Sequence, residues 1–208
     1  MPTQVDHDER IREMLDKSLG LFSEFGYDNL TFQQIAASTG VNRTSIYKYF
    51  ANKRQLFGAA LRQMLEKVAR DFRQRLAAHP EVGAGDKLEA LLLETAEMVY
   101  NNCGMLRCIY DYLDDQQLQG EDVARKVRSY TAVFFLTLKR LIREGVKSGE
   151  FRPVNCLTAA NLLYAQLEAL ASRVAISNSA GKWDDVKAEF ILLVSMLKRE
   201  QSDSLGQR

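Results

Sequence analysis

Apolar residues recur every three or four positions along most of this 208-residue chain, which is the period of an amphipathic α-helix. The pattern lacks the alternation of apolar and polar residues that half-buried strands show, and it contains no Asn-Gly hairpin signal. Only three prolines interrupt it. The sequence therefore predicts an all-α fold.

Glycine, proline and short polar runs divide this pattern into helical segments. After a polar arm over residues 1–9, the first predicted helix runs from about Arg10 to Phe25. A long helix is predicted from Asn52 to about Ala78. Further helices are predicted over residues 86–102, 105–117, 122–147, 157–177 and 184–200.

The pattern over residues 31–57 predicts two short helices joined by a tight turn, with a third helix starting behind them. Thr31 can cap the first helix, since Gln34 three residues later completes a capping box. Gly40 permits the positive φ with which helices commonly end, and Asn42 can cap the second helix. Two helices linked in this way make a helix-turn-helix, whose second helix enters the major groove of DNA.

The distribution of charge supports a DNA-binding segment, although the net charge of the chain is only +1. Residues 1–28 carry seven acids and three bases, whereas residues 29–65 carry five bases and no acid. A run of like charge can be a solvated helix face. Here, however, the basic segment also contains side chains that can reach base edges and phosphates, and this combination favours a nucleic-acid partner. These side chains are Asn42, Arg43, Thr44 and Ser45.

The run LGLFSEFGYDNLTFQQIAASTGVNRTSIYKYFANKRQLFGAAL closely resembles the DNA-binding domain of the TetR family of transcriptional regulators. It shares an LF-x-E-x-GY-x-x-x-T segment, an IA-x-x-x-GV turn, an IY-x-YF recognition helix and an NK-x-x-LF restart. The remaining chain resembles the family more loosely, in helical content, length and a GEFRP segment at residues 149–153. The resemblance implies a three-helix helix-turn-helix domain over residues 10–56, joined through a long helix to a helical effector-binding and dimerisation domain over residues 57–202.

The resemblance also implies roles for individual side chains at the DNA. Arg43, Thr44 and Ser45 would probe base edges beside Asn42, and Tyr47 would touch a base or a sugar. We select Arg43 for a bidentate contact with guanine, because its forked guanidinium matches the two acceptors of that base. The backbone clamp and the phosphate contacts would fall to Gln33, Lys48, Tyr49 and Lys53.

The last two predicted helices carry apolar residues on more than one face. Such a helix pair tends to bury its surplus apolar surface against a second copy, although both faces can also be buried within one chain. The resemblance implies the first arrangement, since TetR-like regulators dimerise through their final two long helices. It further implies a ligand-released repressor that binds a palindromic operator.

An unknown small-molecule effector would, by the same resemblance, occupy a cavity in the larger domain and change the spacing of the two recognition helices. Side chains of the candidate lining set are also typical of a packed core. Glu168 can instead face solvent or bridge a dimer. The candidates are Tyr100, Cys103, Met105, Ile109, Tyr112, Phe134, Leu138, Tyr164 and Glu168.

Catalysis is disfavoured by the motifs of the chain. His7 and His79 are the only histidines, and no Glu-x-x-His pair, G-x-S-x-G motif or phosphate-binding glycine loop occurs. We therefore predict no catalytic residue, metal ligand or cofactor. Two other functions stay open: a thiol-based redox-sensing regulator in which Arg107 lowers the thiolate pKa of Cys103 or Cys108, and a helical interaction protein that binds no DNA.

The N-terminal residues contain no apolar signal segment, and no stretch approaches 18 apolar residues. The three cysteines are unevenly spaced, which suggests no disulfide framework. We therefore expect a cytoplasmic protein without a membrane span.

Overall fold

The computed structural model describes residues 4–118, 120, 123–177 and 181–199. Over these residues it contains nine α-helices and no strand, apart from one isolated antiparallel bridge between Phe151 and Lys198. The all-α prediction is therefore confirmed. The helices are α1 (Gln4–Phe25), α2 (Phe32–Thr39), α3 (Arg43–Tyr49), α4 (Lys53–Ala78), α5 (Ala84–Asn101), α6 (Cys103–Leu118), α7 (Val123–Ser148), α8 (Cys156–Ser177) and α9 (Trp183–Ser195).

The first helix begins earlier than predicted. It starts at Gln4, so that residues 4–9 of the predicted polar arm are helical, and residues 1–3 lie outside the described part of the chain. Asp8, Glu9 and Arg10 are exposed. Residues 4–9 are polar apart from Val5, and a single apolar residue gives no helical periodicity from which the sequence could reveal this turn.

The described residues pack as two compact units. One unit, here called the N-terminal unit, comprises residues within 1–71 and 102–130, so that α6 packs with the helix-turn-helix. The other, the C-terminal unit, comprises residues within 72–101 and 131–208. These packing units do not coincide with the predicted functional domains, whose division at residue 56 stays a prediction.

Four aromatic rings from three helices and one loop form the centre of the N-terminal unit. The ring centroid of Phe57 lies 4.7 Å from that of Phe22, 5.3 Å from that of Tyr27 and 5.0 Å from that of Tyr112. All four side chains are buried. Burial raises the pKa of the Tyr27 hydroxyl, which donates a 3.2 Å hydrogen bond to Asp115 on α6. Helix α6 is thus part of the core beneath the helix-turn-helix.

The start of α6 lies against the last turn of α1 within the same unit. The thiol of Cys108 donates a hydrogen bond of 2.8 Å to the carbonyl oxygen of Phe22. A Cβ atom added to Gly104 would lie only 2.5 Å from the carbonyl oxygen of Ser23. Because real Cβ atoms essentially never come so close to another heavy atom, any other residue here would force the backbone of α1 or α6 to shift.

In the C-terminal unit, the GEFRP segment joins the ends of three helices. The Glu150 carboxylate accepts hydrogen bonds of 3.1 and 2.9 Å from the amides of Ala84 and Gly85, at the start of α5. These bonds lower the pKa of Glu150, with the Gly85 amide as the largest cause. The cap also explains why α5 begins two residues before the predicted start at Asp86.

Helix α9 ends at Ser195, before its predicted end at Glu200, a residue that lies outside the described part of the chain. The chain leaves the helix because Leu197 offers its carbonyl oxygen to the amide of Arg152 at 3.0 Å. A pairing with a distant segment thus replaces the helical hydrogen bonds.

Among the described residues, we find no helix that combines the length and the apolar character needed to cross a membrane.

Candidate nucleic-acid interface

Helix α2 is fixed at both ends by the residues that the sequence indicates. The Thr31 hydroxyl accepts from the Gln34 amide at 3.3 Å, and the Gln34 side chain accepts from the Thr31 amide at 2.9 Å. This reciprocal pair is the predicted capping box. Gly40 ends the helix with a φ of 71°, as the predicted turn requires.

Helix α3 follows with Asn42 as its cap. The side-chain oxygen of Asn42 accepts from the Thr44 amide at 2.9 Å, which confirms the predicted N-cap. Ile46 is fully buried, so that the face of α3 that carries it packs against the core. The opposite face is directed outwards and carries Arg43, Thr44, Tyr47, Lys48 and Tyr49, all exposed, beside the half-buried Ser45.

A groove of about 510 Å³ opens beside α3. Among the predicted DNA contacts, it brings together Gln33, Arg43, Tyr47 and Lys53. The groove also includes residues that we did not predict as DNA contacts, among them Thr31 and Asn52. Their capping positions in the sequence could have indicated that two helices begin with free amide groups. The complete lining is Leu30, Thr31, Phe32, Gln33, Arg43, Tyr47, Ala51, Asn52 and Lys53.

Two helices begin at this groove, and their first amide groups carry partial positive charge. Asn52 caps α4 by accepting from the Gln55 amide at 2.9 Å, and Thr31 caps α2. The guanidinium of Arg43 adds a full positive charge, and residues 29–65 contribute no acid. The groove therefore favours an anion such as a phosphodiester.

Lys53 is engaged within the protein. Its ammonium donates to the carbonyl oxygens of Tyr27 at 2.6 Å and Asp28 at 3.0 Å, and it lies 4.7 Å from the centre of the Tyr27 ring. The side chain is half-buried. Lys53 thus ties the start of α4 to the loop after α1, and its predicted phosphate contact stays a prediction.

The candidate effector residues are divided between the two units. Cys103, Met105, Ile109 and Tyr112 belong to the N-terminal unit, and the rest belong to the C-terminal unit. Met105 is 9% exposed and Tyr112 is 2% exposed, and both belong to the core beneath the helix-turn-helix. Both side chains pack in that core, and the part of the nine candidates in effector binding stays a prediction.

In the C-terminal unit, two candidate tyrosines make polar contacts through their hydroxyl groups. Tyr100 donates to the carbonyl oxygen of Gly181 at 3.0 Å, and Tyr164 donates to the hydroxyl of Thr131 at 3.0 Å. Leu138 is fully buried, whereas Phe134 is half-buried and Glu168 is exposed.

The environment of Cys108 contradicts the expectation of a reactive thiolate. Burial, aided by the nearby Asp111 carboxylate, raises the pKa of the Cys108 thiol to about 11. The thiol is 1% exposed and is hydrogen-bonded to Phe22. The expectation of a lowered pKa was wrong for Cys108 because its side chain is buried in the core, where a charged thiolate is disfavoured.

The outward faces of α8 and α9 carry large apolar side chains. Leu162 and Ile176 on α8 are 64% and 79% exposed, Leu192 on α9 is 60% exposed, and Met196, directly after α9, is 55% exposed. Glu168 lies on the exposed side of α8. Exposed apolar surface of this kind marks interaction sites in soluble proteins.

Both the sequence and the fold of this chain are similar to those of known proteins. Residues 14–60 match the family model for the bacterial regulatory proteins of the tetR family. YfiR of Bacillus subtilis, an uncharacterized HTH-type transcriptional regulator, is 24% identical over 156 residues, or 74% of each chain. A TetR transcription regulator from Haloarcula marismortui is 19% identical and superposes with a TM-score of 0.78 over 92% of this chain and 100% of that chain.

The transcriptional regulator FadR from Bacillus subtilis, solved in complex with stearoyl-CoA, is 16% identical. It superposes with a TM-score of 0.72 over 89% of this chain and 98% of that chain. At such identities the solved structures show the shared fold alone. Residues 14–60, which include the capped helices described above, thus match the DNA-binding domain of the tetR family of bacterial regulatory proteins, and the chain as a whole shares the fold of solved TetR regulators.

Proposed function

We propose that this protein is a transcriptional repressor that binds a palindromic DNA operator as a homodimer and releases it when a small-molecule effector binds. The observation that carries this proposal is the outward face of α3, where exposed hydrogen-bonding side chains lie beside a groove formed at the starts of α2 and α4. No acid in residues 29–65 opposes the approach of DNA.

In the proposed complex, α3 lies in the major groove and Arg43 reaches the O6 and N7 atoms of guanine. Arg43 is the first residue of α3, which suits it to base contact, because recognition helices read bases mainly with their N-terminal residues. The groove receives the phosphodiester backbone between Gln33 and the helix starts. Lys48 and Tyr49, both exposed on α3, hold neighbouring phosphates.

The exposed apolar faces of α8 and α9 support a homodimer. A twofold copy would bury Leu162, Ile176, Leu192 and Met196, whose exposure costs free energy in water. A dimer presents two α3 helices to half-sites about 34 Å apart on one face of DNA. This arrangement accounts for the proposed palindrome.

An effector site is proposed for the C-terminal unit. FadR, which shares the fold, was solved with stearoyl-CoA, and this supports only a fold that can accommodate a ligand. Of the nine candidate lining residues, Tyr100, Phe134, Leu138, Tyr164 and Glu168 lie in this unit, and Cys103, Met105, Ile109 and Tyr112 lie in the N-terminal unit. The proposed site of action is the cytoplasm, where a reducing environment keeps the three free cysteines as thiols.

Selection of DNA from a random duplex pool tests this proposal. The wild-type protein should enrich one palindromic sequence, and a panel of small molecules, acyl-CoA thioesters among them, should contain a compound that releases it. A helical interaction protein without DNA binding would enrich no sequence. That result, obtained with folded protein, would refute the proposal.

A further inference from the structure

Three side chains around α3 form a contiguous stack. The Arg43 guanidinium donates a hydrogen bond of 3.3 Å to the hydroxyl of Tyr47, and its central carbon lies 5.4 Å from the centre of the Tyr47 ring. The Tyr47 ring meets the ring of Phe32 edge to face, with 4.9 Å between the centroids. Phe32 is only 7% exposed, whereas Tyr47 is 48% exposed. The stack therefore leads from the packed interior of the unit to an exposed guanidinium.

We propose that Tyr47 is a positioning residue that sets the base specificity of Arg43. This inference rests on the proposed function, since it names the side chain that aims the proposed guanine contact. The four-residue spacing of Arg43 and Tyr47 places them on one face of α3. Tyr47 holds one N–H of the guanidinium and leaves the other donors of the fork for the O6 and N7 atoms of guanine.

The physical gain is pre-organisation. An arginine side chain has many rotamers, and fixing it on DNA reduces affinity by the entropy that is lost. A guanidinium already held by Tyr47, whose ring is fixed by the buried Phe32, has less freedom to lose. The carboxylates that commonly bind a guanidinium are absent from residues 29–65, so that in this segment the tyrosine takes their place without neutralising the charge.

The competing assignment is that Tyr47 contacts a base or a sugar itself. The two assignments differ in whether the effect of Tyr47 depends on Arg43. Tyr47→Phe separates them, because it keeps the ring that packs on Phe32 and removes only the hydroxyl that Arg43 contacts. The measured quantity is the ratio of dissociation constants for the selected operator and for the operator with the guanine pair replaced.

For Tyr47→Phe we expect this discrimination ratio to fall about two- to tenfold, the range for one pre-organised side chain. In the Arg43→Ala background, Tyr47→Phe should change nothing further. An equal effect of Tyr47→Phe with and without Arg43, or an effect at a different base pair, would overturn the proposal. If the wild-type protein prefers no sequence, the proposed function fails, and the DNA-free measurement below still decides the role of Tyr47.

Side-chain NMR relaxation of the Arg43 Nε–H group in DNA-free protein supplies that second measurement. Arg43 should be ordered in the wild-type protein and more mobile in Tyr47→Phe. Tyr49→Phe, at the other exposed tyrosine of α3, is the matched control and should leave the mobility of Arg43 unchanged. Equal Arg43 mobility in wild-type and Tyr47→Phe protein would overturn the positioning role.

Discussion

The outward face of α3 and the outward faces of α8 and α9 are both exposed, yet their chemistry is opposite. On α3, the exposed side chains are Arg43, Thr44, Tyr47, Lys48 and Tyr49, every one of which can form hydrogen bonds. On α8 and α9, the exposed surface includes the large aliphatic side chains of Leu162, Ile176 and Leu192. The difference supports the two proposed partners: DNA, a hydrated polyanion, for α3, and a second copy of the chain for α8 and α9.

The largest expected effect comes from placing a charge on the apolar surface. Leu192→Glu should dissociate the proposed dimer, because a carboxylate at the centre of an apolar interface cannot be solvated. Operator affinity should then fall about 10² to 10⁴-fold, the advantage that two linked binding sites provide. Sedimentation and gel-shift titration measure the two effects.

The matched control for this substitution is Val68→Glu. Val68 is an exposed apolar residue on α4, and its replacement adds the same charge outside α8 and α9. The control should remain dimeric. A Leu192→Glu protein that stays dimeric and binds normally would show that the apolar faces have another purpose.

On the α3 face, Arg43→Ala should relax sequence choice. Loss of a bidentate guanine contact removes about 1 to 3 kcal/mol of discrimination at one base pair, while affinity for random DNA changes little. Competition titrations with operators altered at each position locate the affected pair. A uniform loss at all positions would assign Arg43 to the phosphates instead.

The support beneath the α3 face can be tested at α6. Gly104→Ala forces a Cβ against the Ser23 carbonyl oxygen, and we expect the free energy of unfolding to fall by about 1 to 3 kcal/mol. Denaturant titration gives this value. Gly20→Ala on α1 is the control, because its Cβ would meet nothing within 4 Å, and a helical alanine should be neutral or stabilising. Equal results for both glycines would mean that α6 is not packed closely on α1.

A smaller and uniform effect is expected for Lys48→Ala. Removing one phosphate contact should weaken binding to all sequences alike and reduce the slope of log affinity against log salt by about 1. Lys48 is a cleaner choice than Lys53, which also ties α4 to the loop at Tyr27, so that Lys53→Ala would additionally lower stability. A sequence-dependent loss for Lys48→Ala would contradict its assignment.

The smallest effect is expected from oxidants. With a pKa of about 11, Cys108 is a thiol at neutral pH, and mild peroxide or quinone should leave operator binding unchanged. Its alkylation rate, followed by mass spectrometry in a Cys103→Ser variant, should rise as the pH approaches 11. Rapid modification at pH 7 with loss of DNA binding would restore the redox-sensing alternative.

The helix-turn-helix could be predicted in detail because its signals are local. Thr31 and Gln34 form a cap across three residues, and Asn42 caps α3 through Thr44, so that a short stretch of sequence contains both partners. The outward direction of the α3 side chains follows from Ile46, the buried residue on the opposite face.

The rest could not be predicted because the partners lie far apart in sequence. Glu150 caps α5 through amides 65 and 66 residues away, which moves the start of that helix. The burial of Tyr112 with Phe57 likewise depends on α6 packing in the N-terminal unit. Residue type and spacing along one helix do not distinguish such a core position from a ligand-lining one.

A competition measurement with wild-type protein shows whether the α3 face reads a DNA sequence. A labelled operator from the selection is titrated at about 0.15 M salt against unlabelled operator and against a scrambled duplex of the same length. We expect the operator to compete at least about 10³-fold better than the scrambled duplex, the lower end for specific regulators. Equal competition by the scrambled duplex would contradict it.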